Sequence, residues 1–128
     1  MMQLPPYART LGILIHEDDD PDVAPHLRLP PADHLMGRPG FLHGGALSGL
    51  LEMAGILAAR QAFGDAYVAI KPIGMTVDFL RGARFVPTFA RGLLVRNGAR
   101  ITAVAVHAWQ DDETRPVATA RMNLSLAR

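Results

Sequence analysis

The sequence GFLHGGALSGLLEMAGILAA, residues 40–59, places a His-Gly-Gly step before a long apolar run that carries one carboxylate, Glu52. Burying an unpaired carboxylate costs several kcal/mol, so Glu52 either has a polar partner or lies where the run is not covered. Such a carboxylate can activate a water molecule or attack an electrophilic carbon directly. The two glycines before it let a ligand closely approach the start of a helix, where unpaired N–H groups can stabilise an oxyanion.

The composition limits the chemistry and the partners. The chain of 128 residues is 49% hydrophobic, which fits one domain spanning residues 1–128. A net charge of +1 does not favour binding to nucleic acid or to an anionic membrane. The absence of cysteine excludes disulfides, thiolate metal sites and a cysteine nucleophile. No metal site is expected, because metal-ligand spacing is lacking among His16, His26, His34 and His107.

The sequence shows no signal for export or for a membrane span. The N-terminal segment has two prolines and lacks an apolar core of signal-peptide length. The longest apolar run, residues 46–59, is interrupted by Ser48 and Glu52 and is too short to cross a bilayer. We therefore expect a cytoplasmic protein that does not insert into membranes.

Hydrophobic periodicity divides the chain into strands and one long helix. TLGILIH and VAPHLRLP, residues 10–16 and 23–30, are typical of short strands and flank an acidic loop at residues 17–22. A helix is predicted from about Gly45 to Phe63, and Gly64 is placed to cap its C-terminus. Further strands are predicted in AYVAIKPIGMTVDFL, TFARGLLV, ARITAVAVHAWQ and PVATARMNLSLA.

Two local signals refine these strand predictions. Pro72 and Gly74 interrupt the first strand after the helix and predict a bulge or a bend. Asn97-Gly98 predicts a hairpin between the next two strands. The order of elements predicts an α+β fold, in which an antiparallel sheet carries one long helix across one face. Because the helix is apolar almost all round, we expect a second chain to cover what the sheet leaves open.

The motifs together resemble a known family. HGG, followed nine positions later by the acid of LLEMAG, lies between PADHLMGRPGFL and MTVDFLRGA. This combination resembles the hotdog-fold acyl-CoA thioesterases of the phenylacetyl-CoA (PaaI-like) type. That family tends to show N-x-x-G-x-x-H-G-G, then an acid on the helix, then a strand ending in F-L-R-P. The similarity runs from about Leu11 to the last strand.

The resemblance implies a fold, an activity and an assembly. In the hotdog fold the antiparallel sheet wraps around one long central helix, and two subunits pair edge to edge into a homodimer that often pairs again. The implied substrate is an acyl-CoA, so no separate cofactor is expected, because coenzyme A is part of the substrate. By resemblance, the N–H of Gly44 polarises the thioester carbonyl, and Glu52 is the base or the nucleophile.

The spacing of these two residues has a geometric consequence. Gly44 and Glu52 are eight residues apart, which on a helix separates them by roughly 12 Å along the axis and about 80° around it. A single chain therefore cannot place both groups against one carbonyl carbon. Two antiparallel helices related by a twofold axis can place Gly44 of one chain opposite Glu52 of the other, which predicts two shared active sites per dimer.

Four residues are candidates for substrate binding: His43, Gly45, Ser48 and Arg81. Ser48 lies one helical turn before Glu52 and could hydrogen-bond to it or to a helix carbonyl. His43 could shape the loop through a hydrogen bond to the backbone or contact the substrate. The phosphates of coenzyme A suit guanidinium groups, so arginines near predicted strand ends are further candidates. These are Arg81, Arg84, Arg91 and Arg96.

The sequence departs from the family at three positions. Gly37 replaces the asparagine that stands six residues before the histidine, Gly82 replaces a proline, and Pro72 falls near a polar position of some relatives. These changes leave two alternatives open. One is a non-catalytic acyl-CoA binding protein. The other is a hotdog hydratase or dehydratase, to whose loop His34, Gly37 and Gly40 bear a faint likeness.

Overall fold

The computed structural model describes residues 4–17, 19–20, 23, 25–64 and 69–127. The helices are α1 (Tyr7–Leu11), a 3-10 turn (Asp33–Leu35) and α2 (Gly44–Phe63), and the strands are β1 (Leu14–His16), β2 (His26–Leu29), β3 (Ala69–Phe79), β4 (Thr88–Asn97), β5 (Ile101–Trp109) and β6 (Ala118–Ala127). Parts of three predictions lie outside the described residues, namely residues 18, 21 and 22 of the acidic loop, residue 24 of the predicted strand VAPHLRLP, and residues 65–68 before β3.

The long helix α2 is confirmed, and it begins at Gly44, one residue earlier than predicted. It ends at Phe63, and the N–H of Gly64 donates to the carbonyl of Arg60 as the predicted C-terminal cap. Twelve of its twenty residues are buried, which agrees with an apolar sequence on almost every side. The helix is therefore the centre of the core rather than a surface element.

The six strands form one antiparallel sheet in the order β1-β2-β4-β5-β6-β3. Side chains alternate between the two faces, and the inner face contributes Leu27, Ala90, Val104 and Met122 to the core beneath α2. A Cβ on Gly92 would lie 2.9 Å from the carbonyl oxygen of Ala54, so glycine is what lets β4 approach the helix this closely. A six-stranded sheet curved around one long helix is the predicted hotdog fold.

Two predicted irregularities are confirmed. The pairing of β3 with β6 shifts register between Pro72 and Gly74, which is the predicted bulge. The strands β4 and β5 form the predicted hairpin, and the N–H of Gly98 donates to the carbonyl of Ile101 at 3.0 Å. Within the described part of the chain β3 pairs with β6 alone, so the other edge of this eleven-residue strand is open.

The prediction of a strand across TLGILIH is wrong in its first part. Residues 7–11 form the short helix α1, and only Leu14–His16 pair as a strand. Pro6 is the N-cap residue of this helix, and its ring holds φ at −53°, a helical value, directly before Tyr7. Gly12 then ends the helix with a φ of 82°.

This short helix covers part of the surface of α2 that the sheet leaves open. A Cβ on Gly49 would lie 2.8 Å from Leu11 and 3.1 Å from Tyr7, so α1 packs directly on the face of α2 that the sheet leaves open. Apart from the last turn, residues 60–63, the part of α2 that is not buried is a stripe in its N-terminal half that carries Ser48 and Glu52.

Candidate active site

The start of α2 leaves one backbone donor unused. His43 is the N-cap residue, and its Nδ1 accepts a hydrogen bond from the N–H of Gly45 at 2.8 Å. The carbonyl of His43 accepts from Ala46 and Leu47 at 3.0 and 3.1 Å. The N–H of Gly44 has no partner among the described residues, so it is free to donate to a ligand.

The loop before α2 is held by backbone hydrogen bonds on both sides. The N–H of His43 donates to the carbonyl of Leu35 at 2.8 Å, and the N–H of Leu42 donates to that of Ala83 at 2.9 Å. Gly40 turns the loop with a φ of 86°, a conformation that glycine adopts readily. These bonds fix the entry of the chain into α2 against the segment that follows β3.

A cavity of about 480 Å³ opens beside the N-terminus of α2. It is lined by three of the predicted site residues, His43, Gly44 and Arg81. Phe41 and Phe79 are among its apolar lining residues. The Phe79 ring lies near the backbone of Gly44, since a Cβ built on that glycine would be 3.4 Å from Phe79 Cζ. The cavity thus combines an unpaired N–H with aromatic walls.

Glu52 lies elsewhere on the same chain. It is half-buried on α2, does not line the cavity, and makes no hydrogen bond or ion pair with another described residue. Because α2 is continuous from Gly44 to Phe63, Glu52 is roughly 12 Å along the helix from Gly44. One chain therefore presents the unpaired donor and the unpaired carboxylate at separate places.

The two other predicted binding residues also lie outside the cavity. Gly45 is exposed, and its N–H is already taken by His43. Ser48 is half-buried, and neither hydrogen bond expected of its hydroxyl is formed within the described residues. Of the two roles considered for His43, the structure shows the hydrogen bond to backbone, and its ring also borders the cavity.

The glycines that depart from the family pattern make room for neighbouring groups. A Cβ on Gly37 would lie 3.0 Å from the Cα of His43, so a larger residue would push on the N-cap. A Cβ on Gly82 would lie 2.9 Å from Cε1 of Phe41. The guanidinium of Arg38 in turn lies 4.6 Å from the centre of the Phe41 ring. Phe41 and Phe79 were not among the predicted site residues, although the motifs PADHLMGRPGFL and MTVDFLRGA contain them.

The candidate arginines have different surroundings. Arg81 lines the cavity, and Arg84 lies just beyond it and pairs with Asp111. Arg91 pairs with Glu113, with 3.2 Å between Nε and Oε2. Of the four candidate arginines, Arg81 alone lines the cavity beside Gly44.

No helix in the described ranges is long and apolar enough to cross a membrane. No group of three or more histidine or acidic side chains in that part of the chain is arranged to hold a metal ion.

Comparison with known proteins places the chain in a family. Residues 39–117 match the thioesterase superfamily, a span that includes the His-Gly-Gly step, Glu52 and Arg81. Among solved structures, AziG of S. sahachiroi is 26% identical with a TM-score of 0.84, over 98% of this chain and 99% of that one. No curated protein sequence matches the chain significantly.

Two further structures share the fold at lower identity. A phenylacetic acid degradation-related protein of Ralstonia eutropha JMP134 is 24% identical with a TM-score of 0.80, over 97% of this chain and 92% of that one. A Bacillus halodurans protein determined with CoA is 20% identical with a TM-score of 0.81, over 95% of this chain and 78% of that one. The match across residues 39–117 and the architecture agree, and the chain belongs to the thioesterase superfamily.

Proposed function

We propose that this protein is an acyl-CoA thioesterase that hydrolyses a small to medium acyl group from coenzyme A. The observation that carries the proposal is the unpaired N–H of Gly44 beside a cavity of about 480 Å³, in a chain of the thioesterase superfamily. Coenzyme A enters and leaves as part of the substrate and product, and the reaction as proposed uses no other cofactor.

In this proposal Gly44 polarises the thioester carbonyl. The N-terminus of a helix carries a partial positive charge, and an N–H that lacks a protein partner can donate to an oxygen as negative charge develops on it. Because His43 occupies the N–H of Gly45, the helix start offers one donor at the cavity rather than several. Glycine at this position also lets the carbonyl approach the backbone without meeting a side chain.

The second catalytic group is Glu52 of the partner subunit. The distance along α2 separates Gly44 from the Glu52 of its own chain, whereas a twofold axis would bring a second α2 alongside in the opposite direction. The open edge of β3 supports such a homodimer, since a long unpaired strand edge favours pairing with another copy. Pairing of two dimers into a tetramer is compatible with this arrangement.

The chemical step follows from these two groups. An oxygen of Glu52, or of a water molecule that Glu52 deprotonates, adds to the carbonyl carbon, and the carbonyl oxygen becomes an oxyanion held by Gly44. The C–S bond then breaks, and the coenzyme A thiolate leaves and takes up a proton. If Glu52 attacked directly, water would afterwards cleave the resulting anhydride.

The residues that line the cavity indicate which acyl groups would fit it. Phe41 and Phe79 present two aromatic rings near Gly44, a surface that favours apolar groups and suits stacking on an aromatic one. This supports an aromatic acyl group among the small and medium acyl-CoA substrates. The likeness to a phenylacetic acid degradation-related protein agrees with that preference.

The test is release of free thiol from a panel of acyl-CoA thioesters that includes aromatic ones. Glu52→Gln keeps the size of the side chain but removes the charge, so turnover should fall at least about a hundredfold. Glu17→Gln, the same change at an exposed position, should leave turnover unchanged. Absence of thiol release from the whole panel by folded, dimeric protein would contradict the proposal.

One observation favours a second candidate, a non-catalytic acyl-CoA binding protein. Gly37 stands where the family has asparagine, and a Cβ at this position would lie 3.0 Å from the Cα of His43, so that an asparagine would press on the N-cap. Calorimetry separates the two functions. Tight acyl-CoA binding without thiol release over hours would support the binding protein and not the enzyme.

A further inference from the structure

The short helix α1 brings a tyrosine hydroxyl onto the face of α2 that points away from the sheet. A Cβ on Gly49 would lie 3.1 Å from Cε2 of Tyr7 and 3.5 Å from its hydroxyl oxygen. Because glycine has no Cβ, the ring edge of Tyr7 rests against the backbone of α2 at this point.

The two flanks of Gly49 on α2 differ in burial. On a regular helix Ala46 and Met53 lie about 40–60° to one side of Gly49, and Glu52 and Ser48 lie about 60–100° to the other. Ala46 and Met53 are buried, whereas Ser48 and Glu52 are half-buried. The side of Gly49 toward Glu52 is therefore the open one.

Tyr7 lies at the edge of this open side. It is 47% exposed, whereas Leu11, which also contacts Gly49, is 5% exposed. The Cβ positions of helical residues three apart are roughly 5–6 Å from each other. The hydroxyl of Tyr7 is 3.5 Å from the Cβ position of Gly49, so the extended side chain of Glu52 can bring its carboxylate within hydrogen-bonding distance of it.

Both groups are available for such a bond. Neither the hydroxyl of Tyr7 nor the carboxylate of Glu52 has a hydrogen-bond or ion-pair partner among the described residues. In the proposed dimer a second α2 covers the stripe and removes water from it. A carboxylate that loses water without gaining a donor is strongly disfavoured, and a phenolic hydroxyl is a donor that carboxylates accept.

We propose that Tyr7 is a positioning residue for Glu52 of its own chain, and that its hydroxyl donates a hydrogen bond to the carboxylate in the assembled site. The inference rests on the proposed function, in which Glu52 is the base or the nucleophile. The bond holds one carboxylate oxygen and leaves the other to meet water or the thioester carbon. The carboxylate is thereby oriented before the substrate arrives.

The test is a double-mutant cycle on kcat with Tyr7→Phe and Glu52→Gln. Tyr7→Phe keeps the ring on Gly49 and removes only the hydroxyl, so kcat should fall roughly five- to thirtyfold at unchanged KM and Tm. In the Glu52→Gln background the same change should have no further effect, because it acts through the carboxylate. Thr10→Val removes a hydroxyl from an exposed position of the same helix and should leave kcat unchanged. An unchanged kcat in Tyr7→Phe, or an equal loss in both backgrounds, would overturn the inference.

A measurement that needs no turnover separates this inference from the proposed function. In the carbon-13 NMR spectrum of the dimer, the carboxyl resonance of Glu52 is assigned by its absence from Glu52→Gln. It should shift in Tyr7→Phe and stay in place in Thr10→Val. If no thioester is hydrolysed but this pattern is found, the enzyme proposal fails and the contact stands. If the resonance does not move in Tyr7→Phe, the assignment of Tyr7 fails whether or not thioesters are hydrolysed.

Discussion

Replacing Gly44 by proline would delete the N–H that we assign to the thioester carbonyl while changing little else. Gly44 is the first residue of α2, where proline is tolerated, and its N–H makes no hydrogen bond within the described chain. His43 has φ −65° and ψ 138°, the extended conformation that a residue before proline prefers. The added Cβ would meet the Phe79 ring at 3.4 Å, an ordinary contact.

The expected effects on stability and on catalysis have opposite signs. A proline that fits its backbone restricts the unfolded chain, so the free energy of unfolding should be retained or rise by about 0.4–1 kcal/mol, a few degrees in Tm. Loss of one oxyanion donor typically costs roughly 10²–10³-fold in kcat. We therefore expect Gly44→Pro to be folded and at least as stable as wild type, and almost inactive.

The assay is thiol release under saturating acyl-CoA, with Tm measured on the same preparations. Gly44→Ala is the matched control, because it adds a Cβ in the same place and keeps the N–H, and it should lose far less activity than the proline variant. The reasoning is refuted if folded Gly44→Pro keeps a kcat close to that of Gly44→Ala.

Two further predictions follow from contacts of Gly37 and Thr114. Gly37→Asn restores the residue typical of the family, but its Cβ would lie 3.0 Å from the Cα of His43 and press on it. We therefore expect the free energy of unfolding to fall by about 1–3 kcal/mol and turnover to be lower. Higher turnover at an unchanged Tm would contradict this. In Thr114→Val, the hydrogen bond from the Thr114 hydroxyl to Asp112 is lost, so the pKa of Asp112 should rise toward 3.8. NMR titration of the Asp112 carboxyl group measures this pKa. An unchanged titration midpoint would argue against that hydrogen bond.

The sign of the Asp112 effect also predicts a pH dependence. Because folding lowers the pKa of Asp112 below 3.8, its ionised form stabilises the folded chain at pH values above 3.8. This contribution is lost as the pH falls through the folded pKa. The difference in Tm between wild type and Thr114→Val should therefore shrink as the solution is acidified through that range.

The parts of the fold that local signals determine could be predicted from the sequence. The ends of α2 follow from an apolar run between His-Gly-Gly and Gly64, and the bulge of β3 follows from Pro72 and Gly74. The helix α1 could not be predicted, because five residues are too few for a stable isolated helix and its alternating sequence also suits a strand. Its stability comes from packing on Gly49, a tertiary contact.

Some features of the candidate site could likewise be predicted from the sequence, and others could not. The placement of Gly44 at the N-terminus of α2 and of Glu52 further along the same helix could be predicted from residue type and spacing. The cavity walls could not, because Phe41 and Phe79 come from a loop and a strand end that meet only in the folded chain. Likewise, no spacing in the sequence indicates that Tyr7 lies against Gly49.

The central claim is that each active site takes Gly44 from one subunit and Glu52 from the other. Two variants with different affinity tags, Gly44→Pro and Glu52→Gln, can be unfolded and refolded together, and the mixed dimer isolated through both tags. Each variant alone should be nearly inactive, whereas the mixed dimer has one intact site of two and should recover about half of wild-type turnover. A purified mixed dimer no more active than its parents would contradict the shared site.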